Sequence, residues 1–355
     1  MLPISVCIIS RNEEEHIEEC CKRLSAQGVE IVLTDTGSTD HTMDIARQYT
    51  DRIYHFDWCD DFAAAKNFCM EKASYDWILS IDCDEYLEEI NPEELRRYME
   101  SYPDGAGRIL IRNRFHLDGQ LSWEQIRVSR FVNRKYFHFT GAVHEQLVYR
   151  SSYTASRVKA YNIPVTILHV GYDVSEEKMQ KKCRRNIALL RQELEKQGPD
   201  PYLYYQLGQS YRRLKDYREA ARCFDAGLSM DVDPSLDYVQ TMVESYGYTL
   251  LDLKRPKEAL NLLGIYDTFA RRADFVFLMG LIYMNNGLLD AAIGEFQKAV
   301  IMEEFAVDGV NSYKAYYNMG VIYECSGHIP EAVKAYGCCK DYEPAKARRK
   351  ALLQN

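Results

Sequence analysis

The 355 residues predict an α/β domain with a mixed, largely parallel sheet over residues 1–197 and an all-α repeat solenoid over residues 198–355. Three observations carry that division. Short apolar runs alternate with amphipathic helical stretches through the first hundred residues, the rhythm of a sheet covered by helices. After residue 200, four glycines recur with an alanine at one fixed spacing behind each, as in a stack of helical hairpins. Between the two regimes, Gly198-Pro199 closes a long charged stretch.

The first strand is the apolar run Ile4–Ile9, which ends in the polar turn Ser10-Arg11-Asn12-Glu13. Ile17, Cys20, Cys21 and Leu24 follow at helical spacing, and Gly28 breaks the helix. Glu30–Thr34 is a second strand, ending in Asp35-Thr36-Gly37-Ser38-Thr39-Asp40, a cluster of turn formers and N-caps that opens a helix over His41–Tyr49. Arg52–Phe56 reads as a third strand, Ala63–Ala73 as a third helix and Trp77–Ile81 as a fourth strand, ending in Asp82-Cys83-Asp84-Glu85. This order places ligands beyond the carboxyl ends of the strands. Three of the four strands end there in acidic or hydroxylated clusters. Neither GxGxxG nor GxxxxGK[ST] occurs, so the dinucleotide and P-loop readings lack their signals.

From Gly107 the pattern becomes more antiparallel, with strands at Arg108–Phe115, Arg127–Val132, Glu145–Tyr149 and Pro164–Val170, then a charged helix over Glu176–Glu195. In the second half Gly208, Gly247, Gly280 and Gly320 pair with Ala220, Ala259, Ala292 and Ala332. Large residues recur four places later, at Phe224, Leu263, Phe296 and Tyr336. Small residues let two helices touch while large ones fill the space between hairpins; the pattern resembles about four tetratricopeptide repeats.

Composition narrows the function. A net charge of −9 argues against nucleic acid as the main partner, since a duplex binder presents a basic face. The 11 cysteines include two adjacent pairs and no CxxC with zinc spacing. With no secretory leader pattern and no run of ~18 apolar residues, a cytoplasmic protein with reduced thiols and no transmembrane segment is expected.

Asp82 and Asp84 end an apolar strand two residues apart, so along an extended chain their carboxylates point the same way. Such a pair can hold one hard cation while leaving positions for diphosphate oxygens. A cation there would neutralise charge on a departing nucleotide diphosphate. Four blocks, ISVCIISRNEE, EIVLTDTGSTDHT, FAAAKN and WILSIDCDE, together resemble family-2 glycosyltransferases of the GT-A fold over about the first 190 residues.

That resemblance implies a UDP-linked nucleotide-sugar donor, held by Ser10, Asn12, Glu13 and Asp35, with Lys66 near the nucleotide and Asp82 facing the ribose. It implies Asp84 as ligand of Mn2+ or Mg2+, with Asp82 beside it and His169 as a third ligand, although a strand-end histidine satisfied by backbone groups fits equally. Many family members carry two aspartates where this chain has Asp35-Thr36, which leaves a guanosine or thymidine donor open. An inverting transfer needs a general base. Glu145 is the first choice and Asp173 the second; the alternative for Glu145 is an ion pair with Arg127 or Arg130. Trp123 serves either as a stacking wall or as core.

A family-2 domain joined to these repeats is similar to bacterial peptide and protein glycosyltransferases, including those that modify bacteriocins on sulfur. The similarity implies a peptide, protein or glycan acceptor and repeats that capture substrate or form a homodimer. The competing reading is a repeat scaffold that binds a nucleotide sugar without turning it over.

Overall fold

The computed structural model describes residues 2–117, 120–150, 158–171 and 176–354. The chain divides into two compact units, Met1–Met179 and Gln180–Asn355.

The first unit begins with β1 (Ile4–Ser10), α1 (Ile17–Ser25), β2 (Glu30–Asp35), α2 (Thr42–Ala46), β3 (Ile53–His55), α3 (Phe62–Lys72) and β4 (Trp77–Ile81). It continues through β5 (Glu85–Ile90), α4 (Pro92–Ser101), β6 (Ala106–Leu117), β7 (Gln120–Asn133), β8 (Phe137–Thr140), β9 (Gln146–Tyr149) and β10 (Ala160–His169). Eight strands form one sheet in the order β3-β2-β1-β4-β7-β6-β10-β5, and β8 pairs with β9 apart from it. The β3-β2-β1-β4 half is parallel; β7 then enters antiparallel beside β4.

β1 shows why its sequence is a continuous apolar run. Ile4, Val6 and Ile8 join a core with Ile17 and Leu24 of α1, while Cys7 joins a second core with Ala63, Cys69 and Met70 of α3. Successive side chains leave a strand on opposite faces, so a strand covered on both is apolar at most positions, and the buried Ser5 of β1 is satisfied by donating to Glu30 Oε2. α3 starts where Asp61 accepts from the Ala64 amide at 2.8 Å, and α4 where Asn91 caps the Glu93 and Glu94 amides ahead of Pro92. β5 was not expected: EYLEEI carries too few apolar residues to signal a strand, and it exists through antiparallel pairing with β10.

The division falls within α5 (Glu176–Gln197) rather than at Gly198-Pro199, because the later part of α5 packs with the repeats; Arg191 donates to the Tyr211 hydroxyl at 2.5 Å. The second unit continues with α6 (Pro201–Arg213), α7 (Tyr217–Leu228), α8 (Asp237–Asp252), α9 (Pro256–Ala259), a 3-10 turn at Leu260–Ile265 and α10 (Tyr266–Phe269). It ends with α11 (Ala273–Asn285), α12 (Leu289–Val300), α13 (Tyr313–Cys325), α14 (Ile329–Gly337) and α15 (Glu343–Gln354).

Three hairpins follow the expected design. Gly208 lies against the Phe224 ring, Gly280 against Phe296 and Gly320 against Tyr336; a Cβ on Gly280 would come 2.6 Å from the ring and one on Gly320 2.5 Å. The second hairpin departs from it. Its return helix is broken into α9, the 3-10 turn and α10, which rotates Leu263 outward to 42% exposure. Leu262 and Leu278 close over Gly247 instead. The expectation that Leu263 plays the part of Phe224 is therefore corrected. A 3-10 turn advances fewer residues per turn than an α-helix and shifts which side chain faces inward.

Candidate functional site

The carboxyl ends of β1, β2 and β4 lie side by side, and register pairs Ser10 directly with Asp35. Ser10 is buried, and its hydroxyl oxygen has no hydrogen-bond partner among the described residues. Asp35 accepts from the Ser38 amide at 3.0 Å through one carboxylate oxygen, and its other oxygen lies 3.8 Å from His55 Nδ1. Asn12 adopts a left-handed backbone (φ 56°) and ties the β1 loop to the β2 loop. Its amide donates to Ser38 Oγ at 3.1 Å, and its side-chain oxygen accepts from the Thr39 amide at 2.7 Å. The Glu13 amide adds a bond to Thr42 Oγ1 at 2.8 Å. Asn12 and the Glu13 backbone thus brace the two loops, while Ser10 and Asp35 stand at the strand ends.

Lys66, buried on α3, meets Glu145 in a close ion pair and Asp82 at 3.5 Å. Glu145 therefore takes Lys66, rather than Arg127 or Arg130, as its ion-pair partner. Arg130 on β7 lies 3.6 Å from both Asp82 and Glu85. Burial works against the Arg130 charge, but Glu85, Asp82 and Glu145 more than offset it and hold its pKa above the ordinary value. Burial pushes the Glu85 carboxyl up, with Arg130 pulling the other way. Asp82 consequently sits between two cations, the ammonium of Lys66 and the guanidinium of Arg130.

Asp84 faces a different partner. Its Oδ2 lies 3.5 Å from His169 Nε2, and its carbonyl accepts from the Val170 amide at 3.0 Å. A Cβ on Gly171 would overlap Asp84 Oδ2 and approach His169 Nε2 to 2.7 Å, so only glycine leaves this gap open. Burial pulls the His169 pKa down, but the Asp84 carboxylate, aided by Glu85 and Asp82, outweighs it and holds it above its ordinary value. Nδ1 of the same ring meets Asn113 Oδ1 at 2.9 Å.

One ion with bonds of about 2.1 Å can bridge a 3.5 Å gap between carboxylate and imidazole. No cluster of three or more metal-ligating side chains occurs among the described residues. At phosphate-transfer sites Mg2+ is usually held by one or two carboxylates, with phosphate oxygens and water completing its shell. The donor set fits such an ion through Asp84 and His169, whereas Asp82 is held by Lys66 and Arg130.

Trp123 on β7 lies under the Arg112 guanidinium, 5.1 Å from its ring centre. Asp173 falls outside the described residues. Sequence reasoning passed over Asn113, Glu85 and Gly171 as site residues and took Arg130 only as a partner for Glu145. Gly171 stands two places after His169, but nothing local shows that its missing side chain admits Asp84. Asn113 reaches His169 only through strand pairing.

Residues 5–155 match the family described as Glycosyl transferase family 2, and residues 201–232 match the Tetratricopeptide repeat family. The N-terminal unit is a family-2 glycosyltransferase domain. The chain is 28% identical to a TPR repeat-containing protein of Synechococcus elongatus over 94% of its own length and 74% of that protein's. It is also 28% identical to the SPbeta prophage-derived glycosyltransferase SunS of Bacillus subtilis, over 61% of this chain and 51% of SunS, so it spans about half of SunS. A lipopolysaccharide core biosynthesis glycosyltransferase, LpsC of Rhizobium meliloti, is 26% identical over 57% of this chain and 76% of LpsC. The family-2 domain implies transfer of a sugar from a nucleotide-sugar donor to an acceptor, and the repeats imply contact with a protein. No helix among the described residues is long and apolar enough to cross a membrane.

Proposed function

We propose that this chain is an inverting glycosyltransferase that uses Mn2+ or Mg2+ to move a sugar from a UDP-linked donor to a peptide, protein or glycan acceptor. The observation that carries the reading is the gap between Asp84 and His169, kept open by Gly171 at the edge where Ser10 and Asp35 end their strands. Ser10, with its unsatisfied buried hydroxyl, and Asp35 take the uridine; Asn12 and Glu13 hold the loops that shape its slot. Lys66 and Arg130 flank Asp82, so the ribose side of the donor meets a carboxylate fixed by two cations. Asp84 and His169 would hold the divalent ion, which would supply charge neutralisation for the leaving diphosphate.

LpsC, a lipopolysaccharide core biosynthesis glycosyltransferase, supports a glycan acceptor, and the tetratricopeptide repeats support a peptide or protein one. The repeats would capture the acceptor or pair two copies. Glu145 or Asp173 takes the acceptor's proton. Glu145→Gln decides between them: a rate down ~10²–10⁴-fold with donor affinity kept assigns the base to Glu145. Joint loss of affinity and rate assigns Glu145 to holding Lys66, and a fully active variant assigns the base to Asp173. The reading as a whole is tested by thermal shift across nucleotide sugars with and without Mn2+. A true donor raises the melting temperature by mass action, more so with the ion. No stabilisation by any nucleotide sugar would sink it.

A further inference from the structure

β7, β6, β10 and β5 are neighbours, and their register sets Glu124, Asn113, His169 and Glu85 in one row across the sheet. Residues directly opposite each other on paired strands present their side chains to the same face. Glu124 Oε2 accepts from Asn113 Nδ2 at 3.0 Å, and Asn113 Oδ1 lies 2.9 Å from His169 Nδ1. An ionised carboxylate only accepts, so Asn113 must turn its NH2 toward Glu124 and its oxygen toward His169. That oxygen also only accepts, so His169 Nδ1 must carry the hydrogen. In the neutral ring the lone pair then sits on Nε2, the atom 3.5 Å from Asp84 Oδ2. Asn113 is 1% exposed, which keeps water from competing for either bond.

We propose that Glu124 and Asn113 form a brace that selects the His169 tautomer able to ligate a divalent cation with Asp84. Both are positioning residues, since each acts through the ring of His169. The inference rests on the metal-dependent reading above. Gly171 belongs to the same device, because the brace aims Nε2 into the space that a side chain there would fill.

The test uses the full chain and two readouts other than turnover. Mn2+ alone is titrated by electron paramagnetic resonance, and the His169 ring nitrogens are read by 15N NMR in the metal-free protein at a pH where the ring is neutral. The wild type should show hydrogen on Nδ1. Asn113→Leu should weaken Mn2+ binding ~10–100-fold, the usual cost of losing an outer partner of a ligating histidine. The double variant Asn113→Asp with Glu124→Gln rebuilds an acceptor beside His169 and a donor behind it, and should restore the affinity. Wild-type Mn2+ affinity in a folded Asn113→Leu protein, or hydrogen on Nε2 in the wild type, overturns the brace. A double variant that folds but stays weak also overturns it. Failure of the metal reading looks different: the wild type would then show no Mn2+ binding that Asp84→Ala removes, and the NMR result would still decide the tautomer.

Discussion

The regular hairpins and the acidic edge of the sheet use glycine for the same purpose over different distances. Gly208, Gly280 and Gly320 each admit a ring from the return helix of their own hairpin. Gly171 admits the carboxylate of Asp84, which stands just before β5, a strand distant in sequence that pairs with β10. The first arrangement repeats along the chain and can be read as a period. The second depends on how strands pair. A glycine is therefore legible in sequence when its partner is local, and silent when the partner is brought by topology.

Asp84→Ala should have the largest effect, because it removes one of two protein ligands. Transfer is expected to fall by at least ~10²–10³-fold, and nucleotide binding measured by calorimetry should lose its dependence on Mn2+. Equal turnover in a folded variant would break the site half of the comparison. Gly171→Ala sharpens it further. Its Cβ collides with Asp84 Oδ2, the end of a side chain rather than backbone, so Mn2+ affinity should collapse while stability changes by about 1 kcal/mol or less. Gly280→Ala should show the reverse, losing ~1–3 kcal/mol in denaturant melts through overpacking against Phe296, with Mn2+ affinity unchanged.

Within the repeats, the irregular second hairpin predicts an asymmetry between neighbours. Leu262→Ala should cost ~2–5 kcal/mol and Leu263→Ala under about 1 kcal/mol, since only Leu262 is buried. Equal costs would mean that the return helix is regular after all. The smallest effect is a pH dependence. In the metal-free protein the charged His169 ring gains from Asp84, with Glu85 and Asp82 contributing, so its folded pKa exceeds its ordinary 6.5. That stability is fully present below the ordinary value and is lost as pH rises through the raised one. With EDTA present, the melting-temperature gap between wild type and Asp84→Ala should narrow as pH increases.

The sequence by itself determined the two-part build, because apolar period and helix caps are local. β1 had to be covered on both faces once Ile4, Val6, Cys7, Ile8 and Ile9 were apolar, and Asp61 and Asp200 cap their helices through amides three residues on. It also placed Ser10, Asp35, Asp82, Asp84 and His169 at strand ends, where a parallel sheet gathers its ligands. Pairing decided what those residues do. Asp82 and Asp84 share a motif, yet Asp82 turns to Lys66 and Arg130 while Asp84 turns to His169. Glu145 found Lys66 because the turn before β9 lies over the start of α3, where the Phe62 amide donates to the Ala142 carbonyl at 2.8 Å. The row from Glu124 to Glu85 exists only because β5 comes back beside β10, a pairing its own acidic sequence does not announce. Helix caps and their amides a turn away are fixed by the chain; side chains on four neighbouring strands are brought together by register, and register is a property of the folded sheet.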